Sequence, residues 1–500
     1  MDDETRPGDV SIEQTPRRAY IHLDEARHGA IEALRTLLRC SLDFERVVVI
    51  DDLYGKLRVI LWLADGISET VSRAQVDAAL RDVGGQFWTG DIWISNSATS
   101  PTDNLLYDAA WAEGTEDREV PTLRIDDRHR NRSAWFTRFR DPLWSAHRGA
   151  DSVSDGSSAQ EPSREDTAKT RKGPPVIVFW SFKGGVGRTT GLAAFAIQRA
   201  RMGEKVVVID FDLDAPGAGT LLAADERGTI APWGVVDYLL EQPFGSAPLL
   251  DYSHRCAREA VTGDGVIWVL PAGRLDDTYL TKLSRVDLEV TSPGQPHPLG
   301  ALLDALGPDA NATGDVQSRS DSPINPDWIL LDSRAGLSPA AGLLLSGFAH
   351  LHVLFGTTNE QSYQGLERVV HALGAERLRE GMQADCLVVH AMVPDNGIVA
   401  RESERAFCGR VEAIFRDHYL VPEGDDPDDD LWSLRDLDSA EAPHIPIPIP
   451  YRPAFGFFPN IDAIAEALAK DDCYQNLVAR ILSRFPEPAH EREAQDGVAD

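Results

Sequence analysis

The sequence predicts an α/β protein: a mostly parallel sheet flanked by helices that carries a phosphate-binding loop, preceded by a smaller α+β domain. The first observation is the octapeptide Lys183-Gly184-Gly185-Val186-Gly187-Arg188-Thr189-Thr190, whose glycines let the backbone turn tightly and aim several N–H groups at one anion. The second is its setting. Residues 176–180 (VIVFW) form an unbroken apolar run, as a strand buried on both faces requires. Residues 189–202 then carry Leu192, Phe195, Ala196 and Ala200 at helical spacing before Gly203, and 205–210 (KVVVID) form a second apolar run. Strand, glycine loop, helix and strand make a βαβ unit that seats a phosphate at the positive end of a helix dipole. The third observation is the polar stretch 149–174, rich in Ser, Asp, Lys and Pro, which reads as a disordered linker between the two domains.

Within 1–148, residues 19–23, 47–51, 57–62 and 87–94 read as strands and 26–38 and 74–83 as helices. That order, βαββαβ, suits a ferredoxin-like sandwich. No catalytic motif stands out there. Arg124, Arg128, His129, Arg130, Arg132, Arg138 and Arg140 interleave with Trp135, Phe136 and Phe139. Such a cluster grips nucleic acid or a protein partner, or it is a solvated basic face over core aromatics, which is the commoner fate of a charge run.

The second domain spans 175–484. Residues 266–273 (VIWVLPAG) and 327–332 (DWILLD) read as further strands, as do 350–355 and 386–389, with a helix at 363–373 between the last two. Residues 291–326, rich in Pro, Ser, Asp and Gly, read as an exposed insertion, and 422–430 as an acidic loop. Residues 461–485 read as one terminal amphipathic helix, followed by a polar tail over 485–500.

Composition narrows the function classes. With 49 Lys and Arg against 80 Asp and Glu the formal charge is −31, which opposes non-specific binding to DNA or to an anionic membrane by the chain as a whole. No apolar run is long enough to span a bilayer, and the first ten residues are acidic and polar, unlike a signal peptide. Five scattered cysteines without metal spacing suit a reducing compartment, so a cytoplasmic location is expected.

The glycine loop and the segments after it resemble the ParA/MinD branch of the SIMIBI-class P-loop ATPases, whose deviant Walker A motif reads KGGxGK[TS]T. Asp210-Phe211-Asp212, with Asp214, Pro216 and Gly217, resembles the family's Asp-x-Asp segment. The stretch 233–240 (WGVVDYLL) resembles its next short helix, and 327–332 its Walker B strand. The likeness covers roughly 175–480. It implies ATP and Mg²⁺ as cofactors, with Gly184, Gly185, Val186, Gly187, Arg188, Thr189 and Thr190 around the phosphates. It also implies Lys183 reaching a partner's nucleotide across a homodimer formed in the ATP state. Thr189, Asp210 and Asp332 are implied at the metal, and Asp212 positions the attacking water, so that Lys183, Arg188 and Asp212 form the catalytic set. The implied function is an ATP-dependent switch that dimerises and signals to an unidentified protein partner through the N-terminal domain, without membrane insertion. Arg334 falls in the segment that resembles the second switch, and 392–394 and 448–451 fall where relatives hold adenine.

Two departures matter. Phe182 stands where a Walker A motif often has Gly, and Arg188 replaces the P-loop Lys, which places the chain with a bacterial subgroup carrying the variant KGGVGR. Arginine keeps the charge and binds phosphate well, but its planar fork does not reproduce a compact ammonium. Ordinary turnover and slow turnover therefore both stay open. The alternatives to a hydrolytic switch are a nucleotide-sensing regulatory or scaffold protein with little turnover, for instance in a bacterial defence locus, and a DNA-segregation-type ATPase using the Arg124–Arg140 cluster.

Overall fold

The computed structural model describes residues 21–127 and 174–485, apart from breaks at 42, 53–54, 65, 96–98, 246–247, 289–296, 308–323, 346–347, 381–384, 396, 423–431 and 457. The chain divides into two compact units, Met1–Ala134 and Trp135–Asp500. Nearly all of the expected linker at 149–174, the acidic loop at 422–430 and the tail beyond Phe485 fall outside the described residues.

In the first unit, β1 (Phe44–Asp51), β2 (Leu57–Leu63), β3 (Trp88–Ser95), β4 (Thr115–Glu116) and β5 (Leu123–Asp127) form a sheet in the order β3-β2-β1-β5-β4. Helices Leu23–Cys40 and Glu69–Gly84 share a core with one face, where Ala26, Ala30, Leu34, Val76 and Leu80 join Val47, Val49 and Leu61. Helix Pro101–Glu113 serves the other face through Tyr107, Ala110 and Trp111. This replaces the expected βαββαβ ferredoxin-like order. Ile21 and His22 lead into a helix instead of forming a strand, with Glu25 accepting from the His22 backbone N–H, while Ala19 and Tyr20 lie outside the described residues. Two strands also follow the third helix, and β5 runs parallel to β1. Five residues, LRIDD, are too few for alternation to announce a strand whose β1 partners lie 76 positions earlier.

In the second unit, eight strands form one sheet: β6 (Val176–Ser181), β7 (Lys205–Phe211), β8 (His254–Cys256), β9 (Val266–Leu270), β10 (Trp328–Ser333), β11 (Leu351–Gly356), β12 (Asp385–Val393) and β13 (Ile447–Pro450). Their order is β13-β12-β11-β6-β10-β7-β9-β8, and every neighbouring pair is parallel except β8 with β9. The unbroken apolar runs follow from burial on both faces. Ile177 and Phe179 of β6 join the core under helices Arg188–Arg201, Asp462–Lys470 and Asp472–Leu482. Val176, Val178 and Trp180 join the opposite core, under Val235–Glu241, Pro298–Leu306, Pro339–Leu345, Glu360–Glu380 and Gly397–His418.

Two expectations change here. The exposed insertion at 291–326 contains helix Pro298–Leu306, capped by the His297 side chain, with Leu299, Leu302, Leu303 and Leu306 fully buried. The i, i+3, i+4, i+7 leucine spacing is an apolar helix face that the surrounding Pro and Gly content conceals. The single helix over 461–485 is two, Asp462–Lys470 and Asp472–Leu482, broken at an extended Asp471 whose carboxylate caps the second by accepting from Cys473 N–H. Among the described residues no helix is long and apolar enough to cross a membrane.

β6 lies between β10 and β11: the chain runs from β6 to the β7 side of the sheet, and after β10 it crosses to β11 on the other side. That reversal opens a crevice at the carboxyl ends of the strands, which is where parallel α/β sheets bind ligands.

Candidate phosphate-binding site

The glycine loop fills this position, between β6 and the helix beginning at Arg188. Gly185 (φ 74°) and Gly187 (φ 87°) adopt left-handed backbone that side-chain-bearing residues rarely take. A Cβ added at Gly184, Gly185 or Gly187 would meet nothing within 4 Å, so the space beside the loop is open. The start of the loop is pinned from below: the Ser181 hydroxyl donates to Lys183 O (2.9 Å), Gly336 N–H to Ser181 O (2.9 Å) and Trp180 Nε1 to Gly336 O (3.1 Å).

The acidic residues converge on the same place from two neighbouring strands. Asp210 and Asp332 stand opposite each other in the β7–β10 ladder, and Asp212 lies one residue past the end of β7. Arg188, only 8% exposed, joins them: its Nε donates to Asp332 (2.7 Å) and its Nη2 to Asp212 (2.9 Å). Thr189 donates its hydroxyl to the other Asp332 oxygen (2.8 Å). Burial works against the arginine's charge, yet Asp332 and Asp212 outweigh it and raise its pKa above the usual guanidinium value. Burial, followed by the charge of Asp332, pushes Asp210 up to about 7. Burial also raises Asp332, against the opposing pull of Arg188.

Asp210 has a distinct task. One of its oxygens accepts from Asp212 N–H (3.2 Å) and the other from Gly217 and Gly219 N–H (3.0 and 3.2 Å), so it shapes the loop after β7. The remaining Asp212 oxygen accepts from Ala215 N–H (3.2 Å). Thr189 and Asp332 fit a magnesium ion: a hydroxyl and an adjacent carboxylate are hard oxygen donors, and magnesium completes its octahedron with water and substrate phosphate. Lys183 is half-buried and forms no ion pair among the described residues. Thr190 follows in the first turn of the helix.

Several contacts had no local signal in the sequence. Arg334 forms an ion pair with Asp214, tying the loop after β10 to the loop after β7. Tyr279 donates its buried hydroxyl to Leu213 O (2.7 Å), beside Asp212. Phe182 packs on helix Glu360–Glu380 so tightly that a Cβ at Gly365 would lie 2.1 Å from its ring. The segments 392–394 and 448–451 come side by side, with Val393 opposite Pro450 and Tyr451 N–H bonded to Val393 O (2.9 Å). Of the arginine cluster only Arg124 is described. It stacks on Trp111 and donates to the Trp111 carbonyl (2.7 Å), with Glu116 nearby, while the members from Arg128 to Arg140 lie outside the described residues.

Residues 177–499, more than half of the 500-residue chain, match the profile of the CobQ/CobB/MinD/ParA nucleotide binding domain. The chain belongs to this family. Within the MinD/ParA part of it, the septum site-determining protein MinD of Escherichia coli K12 is 44% identical over 52 residues, 10% of this chain and 19% of that protein. The chain thus spans about a fifth of the length of the curated relatives it matches. Among solved structures, MinD of Pyrococcus horikoshii OT3 complexed with Mg-ADP is 19% identical, with a TM-score of 0.36 over 65% of this chain and 98% of that one. A ParA family ATPase from Chlorobium tepidum is 12% identical, with a TM-score of 0.37 over 62% and 97%. Membership of the MinD/ParA nucleotide-binding family rests on the profile, which spans the loop, β7 and β10 together.

Proposed function

We propose that this protein is an ATP-binding and ATP-hydrolysing switch of the ParA/MinD type, which closes a homodimer around Mg-ATP and signals to a protein partner through its N-terminal unit. The observation that carries this reading is the convergence of Arg188, Thr189, Asp212 and Asp332 beneath an open glycine cradle. The loop amides and the helix N-terminus hold the phosphates. Thr189 and Asp332 hold magnesium, which neutralises phosphate charge when bound. Asp212 orients the attacking water, and Lys183, free of any ion pair among the described residues, reaches the nucleotide of the second copy. The paired segments 392–394 and 448–451 flank the base.

ATP favours the closed dimer only through contacts made there alone, of which Lys183 is the chief one. Light scattering is expected to record a larger dimer fraction with Mg-ATP and none of that rise in Lys183→Ala; an unchanged mass in both would sink the reading. A second reading, a nucleotide sensor with little turnover, is motivated by the replacement of the P-loop lysine by Arg188, whose planar fork does not reproduce a compact ammonium. Phosphate release from the wild-type protein separates the two.

A further inference from the structure

We propose that Arg188 is a positioning residue that holds Asp212 and Asp332 in register, with phosphate recognition left to the loop amides and Lys183. The inference rests on the nucleotide-binding reading above and assigns the variant arginine a task that a P-loop lysine does not perform.

Geometry supplies the first argument. Two nitrogens of one planar guanidinium, Nε and Nη2, reach carboxylates 120 positions apart in the chain, at 2.7 and 2.9 Å. A guanidinium presents donors at fixed mutual angles, whereas an ammonium is a point charge that would sit against one carboxylate or the other. Burial supplies the second. Asp332 is fully buried and Asp212 is 7% exposed, so a carboxylate stripped of the arginine would face a low-dielectric interior unpaired. Position supplies the third. Arg188 opens its helix, where the dipole disfavours a cation, so its placement requires anions from the protein or from a ligand, and the protein supplies two.

The consequence is a rigid bridge. Arg188 and Thr189, consecutive on one helix turn, grip both oxygens of Asp332, while the same guanidinium reaches across to the loop after β7. The metal-side carboxylate and the water-side carboxylate are thereby fixed relative to each other through one side chain. Removing the bridge lets Asp212 drift without removing the cradle.

The test uses the full-length protein and two variants, Arg188→Lys and Arg188→Gln, each checked for folding by circular dichroism so that one folded variant suffices. Fluorescent Mg-ATP analogue binding and single-turnover phosphate release are measured separately. A bridge predicts affinity within about tenfold of wild type for either variant, together with a single-turnover rate at least tenfold lower, and adding Asp212→Asn then lowers the rate no further. A phosphate ligand predicts the reverse pattern: Arg188→Gln weakens binding a hundredfold or more, and Arg188→Lys resembles wild type in both measurements. Either of these results overturns the proposal, as does an additive effect of Asp212→Asn. If the wild type binds nucleotide but releases no phosphate, hydrolysis is lost from the proposed function, while the affinity of Arg188→Gln still decides the role of Arg188.

Discussion

Individual side chains in the second unit are held by charge balance as much as by shape. Arg188 and its two carboxylates are almost fully buried, and each is tolerable only because the others are present. His352 illustrates the opposite solution, burial in the neutral form. It is the second residue of β11, fully buried, and burial lowers its pKa to about 4, against 6.5 for the unperturbed imidazole. Because the unfolded chain takes up this proton first, stability rises from pH 4 to pH 6.5 and is lost as the pH falls through that window. This residue alone is expected to cost the fold about 2 kcal/mol between pH 7 and pH 5. Denaturant unfolding of wild type and His352→Leu at both pH values checks it; an equal pH dependence in the two would contradict the assignment.

At the scale of elements, the loop is held by neighbours as well as by its own glycines. Phe182 departs from the usual glycine, and its ring occupies the space that any side chain at Gly365 would need. The helix Glu360–Glu380 therefore has a glycine where it crosses the loop, and the two positions are matched across 183 residues of sequence. Gly365→Ala is predicted to push Phe182 aside, shift the backbone before Lys183 and weaken nucleotide binding about tenfold, or about 1.4 kcal/mol, at a cost of about 1–3 kcal/mol in stability. Phe182→Ala in the same chain makes room for the new methyl and is predicted to recover most of the stability. Thermal unfolding and nucleotide titration of the single and double variants read both effects; additive losses would exclude the contact as the cause.

For the whole molecule, the two units have separate hydrophobic cores, one around Leu34, Val49 and Leu80 and the other on both faces of the eight-stranded sheet. Residues 177–499 carry the family match and the cradle, so ligand stabilisation belongs to the second unit. Calorimetry is expected to resolve two transitions, of which Mg-ATP raises only one, by about 2.7 kcal/mol of stability at a hundredfold excess over Kd. A single transition moved as a whole by nucleotide would contradict independent cores.

The sequence by itself determined the glycine loop, its parent strand and helix, the acidic strand ends and the family, because these depend on local spacing: glycines in a tight turn, apolar runs buried on both faces, and a helix beginning where the turn ends. Asp210, Asp212 and Asp332 were legible as strand-end acids, but their partners within the protein were not. Their division of labour, with Asp210 shaping a loop, Asp332 gripped by Arg188 and Thr189, and Asp212 bridged through Arg188, arises only when β10 inserts between β6 and β7. The buried helix within the Pro- and Gly-rich stretch, the topology of the N-terminal sheet, and the Phe182–Gly365 contact were likewise decided by tertiary structure. Pairing between distant segments leaves no periodicity in either one, and the partner of a buried charge is chosen by which strands lie side by side.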